Sequence, residues 1–333
     1  MILDITRSVN LILICQGIPA RHGIHQSGLN INLTVAFPIV SYYYIHVKEK
    51  RSSITAAGIA VVRAIESEKP EGVRICYDPY AARLLNPLFY HFMRIFIDIG
   101  YAERTGPGVQ GFLVGRCRYI DDFLQASLER GLEQLVILGA GYDSRPYRFE
   151  QLRCGVKVFE VDHPATQQVK KNKVAKIFGE LPSHVTYVGV DFNQDTLEKR
   201  LLDFGYAESL KTLFIWEGVV MYLSSQAVES TLSFIAHHSA SGSQVIFDYM
   251  YTALLDGSVR HGEVSRLRRA RPISGEGLTF SIQDGQAQEF LQEVGFTHII
   301  DIVGDELHKR YFSGQNTRRK VAWGYGIASG EVR

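Results

Sequence analysis

From about residue 131 onward, short apolar runs alternate with stretches of helical periodicity. Leu135-Val136-Ile137-Leu138, Val156 to Val161, Val185 to Val190, Thr212 to Trp216 and Gln244 to Tyr249 each read as a strand, because runs this short and this apolar suit a sheet covered on both faces. Between them, 164–179 (opened by Pro164), 194–203 and 224–240 read as helices. The alternation predicts an α/β architecture, a parallel sheet with helices on both faces. Beyond 250 the rhythm breaks. No strand is expected in 251–283, Asp284 is expected to cap a helix ended by Gly295, and the runs Thr297 to Val303 and Lys320 to Ala328, with no helix expected between them, predict an antiparallel hairpin at the sheet edge.

The first 130 residues are of another kind. Ile54, Ile59, Val62 and Ile65 recur at helical spacing, which predicts a helix from Ser52 or Ser53 to Ser67. Further helices are expected around Pro79 to Leu85, Leu88 to Tyr101 and, after the loop Gly106-Pro107-Gly108, Arg116 to Arg130. In residues 1–51, Gly, Asn, Ser and His break every periodic pattern, and this part reads as an N-terminal extension outside the core, poorly ordered by expectation. Residues 52–333 read as a single domain.

Composition narrows the class. With 36 Lys+Arg against 35 Asp+Glu the formal net charge is +1, and 46% hydrophobic with 21% charged residues is the balance of a globular chain. Such neutrality gives no overall field for nucleic acid or anionic membrane, so either partner would need a local patch. Cys15, Cys76, Cys117 and Cys154 lie 61, 41 and 37 residues apart without a CxxC pair, which disfavours structural zinc and a disulfide framework and fits a reducing, cytoplasmic setting. Asn30, Asn32, Thr34, Pro38 and Ser41 interrupt the longest apolar stretch, so no transmembrane helix is expected.

The candidate chemistry gathers at the ends of the strands. Leu138-Gly139-Ala140-Gly141-Tyr142-Asp143-Ser144-Arg145 follows the first strand; glycines at such a turn let a ligand approach the backbone. Ser144 stands where a dinucleotide fingerprint has its third glycine, which weakens a pyrophosphate reading. Glu160 and Asp162, 21 and 23 positions after Gly139, end the second strand where an acid can accept bonds from ribose hydroxyls. Asp191 and Phe192 end the third strand, and Glu217 follows the fourth.

These runs in this order, together with Tyr77-Asp-Pro-Tyr80, Phe159-Glu-Val-Asp-His-Pro164 and Glu217-Gly-Val-Val-Met-Tyr222, resemble the leucine carboxyl methyltransferase family, in particular its prokaryotic branch of S-adenosylmethionine-dependent O-methyltransferases. The resemblance covers roughly residues 52 to 328. It implies a class I methyltransferase fold: a seven-stranded, Rossmann-like sheet with a closing hairpin, a helical lid (52–130) before the α/β core (131–333), and a cover segment at 251–283. It further implies S-adenosyl-L-methionine as cofactor, with Arg116 on the methionyl carboxylate (or Arg118, two residues on), Gly139 and Gly141 beneath the methionine, and Asp162 on the ribose. Asp191 and Phe192 would then flank the adenine, and Glu217 would lie near the methionyl ammonium. Such a zwitterion suits one fixed cation and one fixed anion.

The implied activity is O-methylation of a carboxylate or hydroxyl. A carboxylate is already nucleophilic at neutral pH, whereas a hydroxyl needs a base; His163, Tyr222 and Tyr249 are the candidates, with Arg145 available to hold an anionic acceptor. Of the basic runs, Lys170-Lys171-Asn172-Lys173 reads as a solvated helix face, while Arg266 to Arg271 and Arg318-Arg319-Lys320 leave an RNA acceptor as a minor alternative. A protein carboxyl group as acceptor is another. An NAD(P)-dependent oxidoreductase is disfavoured by the long helical segment before the glycine turn and by the missing third glycine, and a cofactor-binding protein without turnover is the remaining alternative.

Overall fold

The structure, a computed structural model, describes residues 54–190, 195–256 and 277–333. The N-terminal extension (1–51), Asp191, Phe192, the run Arg266 to Arg271 and most of the expected cover segment lie outside the described residues. Five helices come first: α1 (Ile54–Ser67), α2 (Ala81–Leu84), α3 (Pro87–Asp98), α4 (Tyr101–Thr105) and α5 (Val109–Glu129). The alternating half follows as β1 (Gln134–Leu138), α6 (Arg145–Arg148), β2 (Lys157–Asp162), α7 (Pro164–Phe178), β3 (Val185–Gly189), α8 (Leu197–Asp203), β4 (Thr212–Trp216), α9 (Ser225–His237) and β5 (Gln244–Met250). The chain closes with α10 (Thr252–Asp256), α11 (Ala287–Val294), β6 (Thr297–Val303), α12 (Gly304–Tyr311) and β7 (Tyr325–Glu331).

The seven strands form one sheet in the order β3-β2-β1-β4-β5-β7-β6. β3 to β5 across this order pair parallel, and β7 inserts antiparallel between β5 and β6. Every residue of β1 and of β4 is buried. Their side chains divide by the two-residue period of a strand: Val136 and Leu138 join one core, Leu135 and Ile137 the other. From β1 the chain runs outward through β2 and β3, then returns to place β4 on the other side of β1. The crevice at the carboxyl ends of β1 and β4 is therefore the switch point where sheets of this kind bind ligands.

Several expectations need correction in detail. A helix, α12, lies between β6 and β7, and residues 320–324 are not strand. Instead, this segment crosses α5 at its glycines: a Cβ on Gly111 would lie 1.9 Å from the Lys320 carbonyl oxygen, and the Ala322 amide donates to the Gly108 carbonyl at 2.9 Å. α5 begins at Val109, directly after Gly108 and seven residues before the expected Arg116. Asp284 does not cap α11, which begins after Gln286; Gly295, at φ +116°, does end it. At Gly100 (φ +73°) the chain breaks the expected 88–101 helix into α3 and α4.

Glu66 ties α1 to the connection before β7. Its carboxylate accepts from Arg319 Nη1 and Nη2 (2.8 and 2.9 Å), Lys69 Nζ (2.8 Å) and the Ile75 amide (2.8 Å). Burial alone would raise this carboxyl, but the bonds from Arg319, Lys69 and Ile75 outweigh it and hold it below 4.5. A depressed folded value stabilises the fold fully above the unfolded value, and that contribution is lost as the pH falls through the folded value. Glu66→Gln is expected to cost about 1–3 kcal/mol at pH 7, and denaturant titrations of variant and wild type should converge as the pH is lowered through the folded value of this carboxyl.

Candidate functional site

The site is assembled around the turn after β1. Gly139 (φ +65°) and Gly141 (φ +41°) take left-handed conformations. A Cβ on Gly139 would lie 2.3 Å from Val219 Cγ2, so only glycine lets this turn pass beneath the loop that follows β4. The Gly141 amide donates to Asp162 Oδ2 at 2.5 Å, and the His163 amide to Oδ1 at 2.7 Å. Burial pushes the Asp162 carboxyl up, and those two amides, with Lys170 and His163, offset only part of the push. Glu160, two residues earlier, is fully buried in an ion pair with Lys170 at 2.8 Å and does not share the crevice.

Arg116 enters from α5 and is 2% exposed. Nε donates to Glu217 Oε1 at 3.0 Å and Nη1 to Asp248 Oδ2 at 2.5 Å. Nη2 lies 2.9 Å from Glu217 Oε1 but out of hydrogen-bonding direction, and it is a buried nitrogen without a hydrogen-bond acceptor among the described residues. An unmet guanidinium N–H in a buried cleft calls for an anion. Arg118 lies outside this arrangement, half-exposed and paired with Asp122 at 2.8 Å, so of the two arginines it is Arg116 that faces the crevice.

Glu217 lies between two guanidiniums. Its Oε2 accepts from Arg145 Nη1 at 2.7 Å. Burial would raise its carboxyl, but Arg116, Arg145 and Arg63 outweigh that and hold it far below the ordinary carboxylate range. Two acceptor positions are taken, which leaves a carboxylate room for another donor. Arg145 is buried and committed: Nε to Asp121 at 2.8 Å, Nη1 also to Asp143 at 2.5 Å, and Nη2 to the Cys117 carbonyl at 3.5 Å. It anchors Glu217 instead of standing open to an anionic acceptor.

The expected bases are occupied in different ways. His163 caps α7, its Nδ1 accepting from the Ala165 amide at 3.2 Å, and is exposed. Tyr249 is buried, with its hydroxyl 2.9 Å from both Asp301 oxygens and its ring over Gly326. Strand alternation puts it on the opposite face from Asp248, away from the crevice. Tyr222 ends the turn Val220–Tyr222 and packs against the cluster of Met221, Met250 and Leu254, beside Trp323 and Tyr325. Tyr325 stacks on Phe112 with ring centroids 5.0 Å apart. Burial pushes its hydroxyl up to about 12, with Tyr222 and Asp248 adding to the push and Arg116 opposing it.

To other residues of the arrangement the sequence reading assigns no role in the site. Asp248 accepts from Arg116 and, through Oδ1, from the Gly218 amide at 2.5 Å; an acid inside the apolar run of β5 is the signal that could have found it. Arg63 of α1 donates to Asp78 at 3.1 Å and to the Tyr142 carbonyl at 2.6 Å, while Ser144 donates to Asp78 at 2.6 Å. Asp78 of the Tyr77-Asp-Pro-Tyr80 run thus fastens α1 and α2 to the glycine turn, with Ile59 and Ala56 of α1 lying over Gly218 and Gly141.

A family model described as leucine carboxyl methyltransferase matches residues 56–236. A Bacillus subtilis protein named for S-adenosyl-L-methionine-dependent methyltransfer is 31% identical over 202 residues, which cover 61% of this chain and 66% of that one. The chain thus spans just under two-thirds of that relative's length. A Mycobacterium avium protein named for the same activity is 30% identical over 254 residues, covering 73% of this chain and 82% of the relative. Among solved structures, a Thermobifida fusca protein described as a methyltransferase superposes with a TM-score of 0.55 at 14% identity, covering 86% of this chain and 97% of its own. A Streptomyces avermitilis protein of the duf574 family gives 0.53 at 12% identity, covering 82% and 97%. At such identity these two speak for the fold alone. With the family model covering more than half of the chain and the Mycobacterium avium relative matched along most of its length, the chain belongs to the leucine carboxyl methyltransferase family.

Proposed function

We propose that the protein transfers the methyl group of S-adenosyl-L-methionine to an oxygen of a small molecule, and that the acceptor oxygen belongs to a carboxylate. The observation that carries the reading is the buried Arg116 Nη2, a donor without a hydrogen-bond acceptor beside the Glu217 carboxylate at the switch point of the sheet. One fixed cation and one fixed anion, a few ångströms apart and shielded from water, suit the carboxylate and ammonium of a methionyl group. In this reading Arg116 binds the carboxylate and Glu217 the ammonium. Gly139 and Gly141 allow the ligand to lie against the backbone, and Asp162 accepts from the ribose hydroxyls. Asp191 and Phe192, outside the described residues, are assigned to the adenine on the same reading, and residues 52–130 act as the cover over the methionyl end.

When bound, the cofactor supplies a sulfonium methyl whose departure leaves a neutral thioether, so no group needs to protonate the leaving atom. What the chain adds is alignment, which can supply much of the rate when donor and acceptor are held in line. The acceptor preference follows from proton positions. His163 Nδ1 serves the α7 cap, Tyr249 is held by Asp301, and the Tyr325 hydroxyl near the crevice keeps its proton at neutral pH. These groups donate or brace, and a carboxylate is the acceptor that arrives already deprotonated.

Calorimetric titration with S-adenosylmethionine and S-adenosylhomocysteine, with reduced nicotinamide cofactor as control, tests the donor site. Both sulfur compounds should bind and the nicotinamide should not; the reverse pattern would overturn the reading. Arg116→Met should weaken binding at least as much as Asp162→Ala, for which the loss of a charged hydrogen-bond partner predicts about 1–3 kcal/mol. Asp248→Asn keeps an acceptor for the Gly218 amide but removes the charge opposite Arg116, and should lower affinity less than Arg116→Met in the same titration.

A further inference from the structure

Helical periodicity puts Lys170 on a solvated face, yet it is 1% exposed. Its ammonium reaches back from α7 beneath the glycine turn. Nζ donates to Glu160 Oε1 at 2.8 Å and to the Ala140 carbonyl oxygen at 3.3 Å. A buried ammonium is costly unless paired, and Glu160 supplies the pairing. Glu160 is itself held by the Tyr147 hydroxyl at 2.9 Å, which lies 3.1 Å from the Tyr187 hydroxyl.

The carbonyl of Ala140 and the amide of Gly141 belong to one peptide plane, and in a trans peptide they point in opposite directions. Lys170 at 3.3 Å and the Asp143 amide at 2.7 Å hold the carbonyl end, Lys170 being the one side chain of the two, while Asp162 Oδ2 holds the amide end at 2.5 Å. Glycine at 139 and 141 leaves the backbone on either side of Ala140 little intrinsic preference, so the orientation of this plane has to be imposed by its partners. Rotated the other way, the plane would present a carbonyl oxygen to the Asp162 carboxylate, and the acid would have to turn aside.

We infer that Lys170 is a positioning residue: by fixing the Ala140–Gly141 peptide from below, it aims Asp162 at the ribose hydroxyls of the cofactor. The inference rests on the cofactor reading above and adds to it a residue that touches no part of the ligand. Glu160 is the counterion that allows the clamp to be buried, and α7, through Lys170, becomes part of the ribose subsite.

The test uses the full chain and two variants, Lys170→Met and the double variant Lys170→Met/Glu160→Leu, in which an apolar pair replaces the ion pair without leaving an uncompensated charge. Thermal midpoints report folding. The specific readout is the ratio of affinities for S-adenosylhomocysteine and for its 2′,3′-dideoxy analogue, measured by calorimetry. Wild type should favour the hydroxylated ligand, and in the double variant that preference should shrink by about tenfold even where the thermal midpoint is restored. A double variant that is folded and keeps the wild-type ratio overturns the inference, because packing alone would then suffice. If wild type binds both ligands equally, Asp162 does not read the ribose and the inference also falls. If wild type binds neither, it is the cofactor reading that fails, and the positioning role fails with it.

Discussion

A buried chain of opposite charges, Asp121–Arg145–Glu217–Arg116–Asp248, fixes the relation of the elements that make the site. Each link joins a different part of the fold: Asp121 and Arg116 come from α5, Arg145 from the start of α6, Glu217 from the loop after β4 and Asp248 from β5. Inside a protein such a chain tolerates no missing member, since removing one partner leaves its neighbour as an uncompensated buried charge. It follows that α5, the glycine turn and the ends of two central strands can adopt only the arrangement that satisfies all five. Ion pairs of this kind add little net stability beside apolar packing of equal volume. What they supply is direction: they fix how Arg116 and Glu217 are presented at the ends of β1 and β4.

The packing of α1 and α2 on the glycine turn depends on the same logic at smaller scale. Arg63 and Asp78 link α1 and α2 to the Tyr142 carbonyl and to Ser144 of the glycine turn. Asp78 also accepts from the amides of Tyr80 and Ala81, so the start of α2 is bound to the turn through one carboxylate. Helices that precede the sheet in sequence are thereby made part of a site built at its carboxyl edge. Glu66 and Arg319 bring the connection before β7 into the same frame. The glycines of α5 allow that connection to lie on the helix that carries Arg116.

Tyrosines around the crevice play a complementary part. Tyr325 lies on Phe112, one helical turn before Arg116, with Tyr222 and the methionine cluster beside it. Burial keeps its proton in place.

Much of this was legible in the sequence. Five apolar runs spaced by helical stretches determine a doubly covered sheet, because strands buried on both faces have no polar side to show. Gly139, Gly141, Asp162 and Glu217 were visible because strand ends, glycine turns and isolated acids sit at known distances along the chain. What the sequence did not determine is which charges meet. Arg116 and Arg118 differ by two positions on one helix, and only the packing of α5 against the sheet turns the first inward and leaves the second in solvent. Lys170 read as a surface residue among lysines until the fold buried it beneath the glycine turn, and Arg145 read as open until Asp121, Asp143 and Glu217 closed on it. The reason is physical: periodicity records whether a position is apolar, which is a property of the chain alone, whereas the partner of a buried charge comes from residues as far as 253 positions away and exists only once the elements are packed.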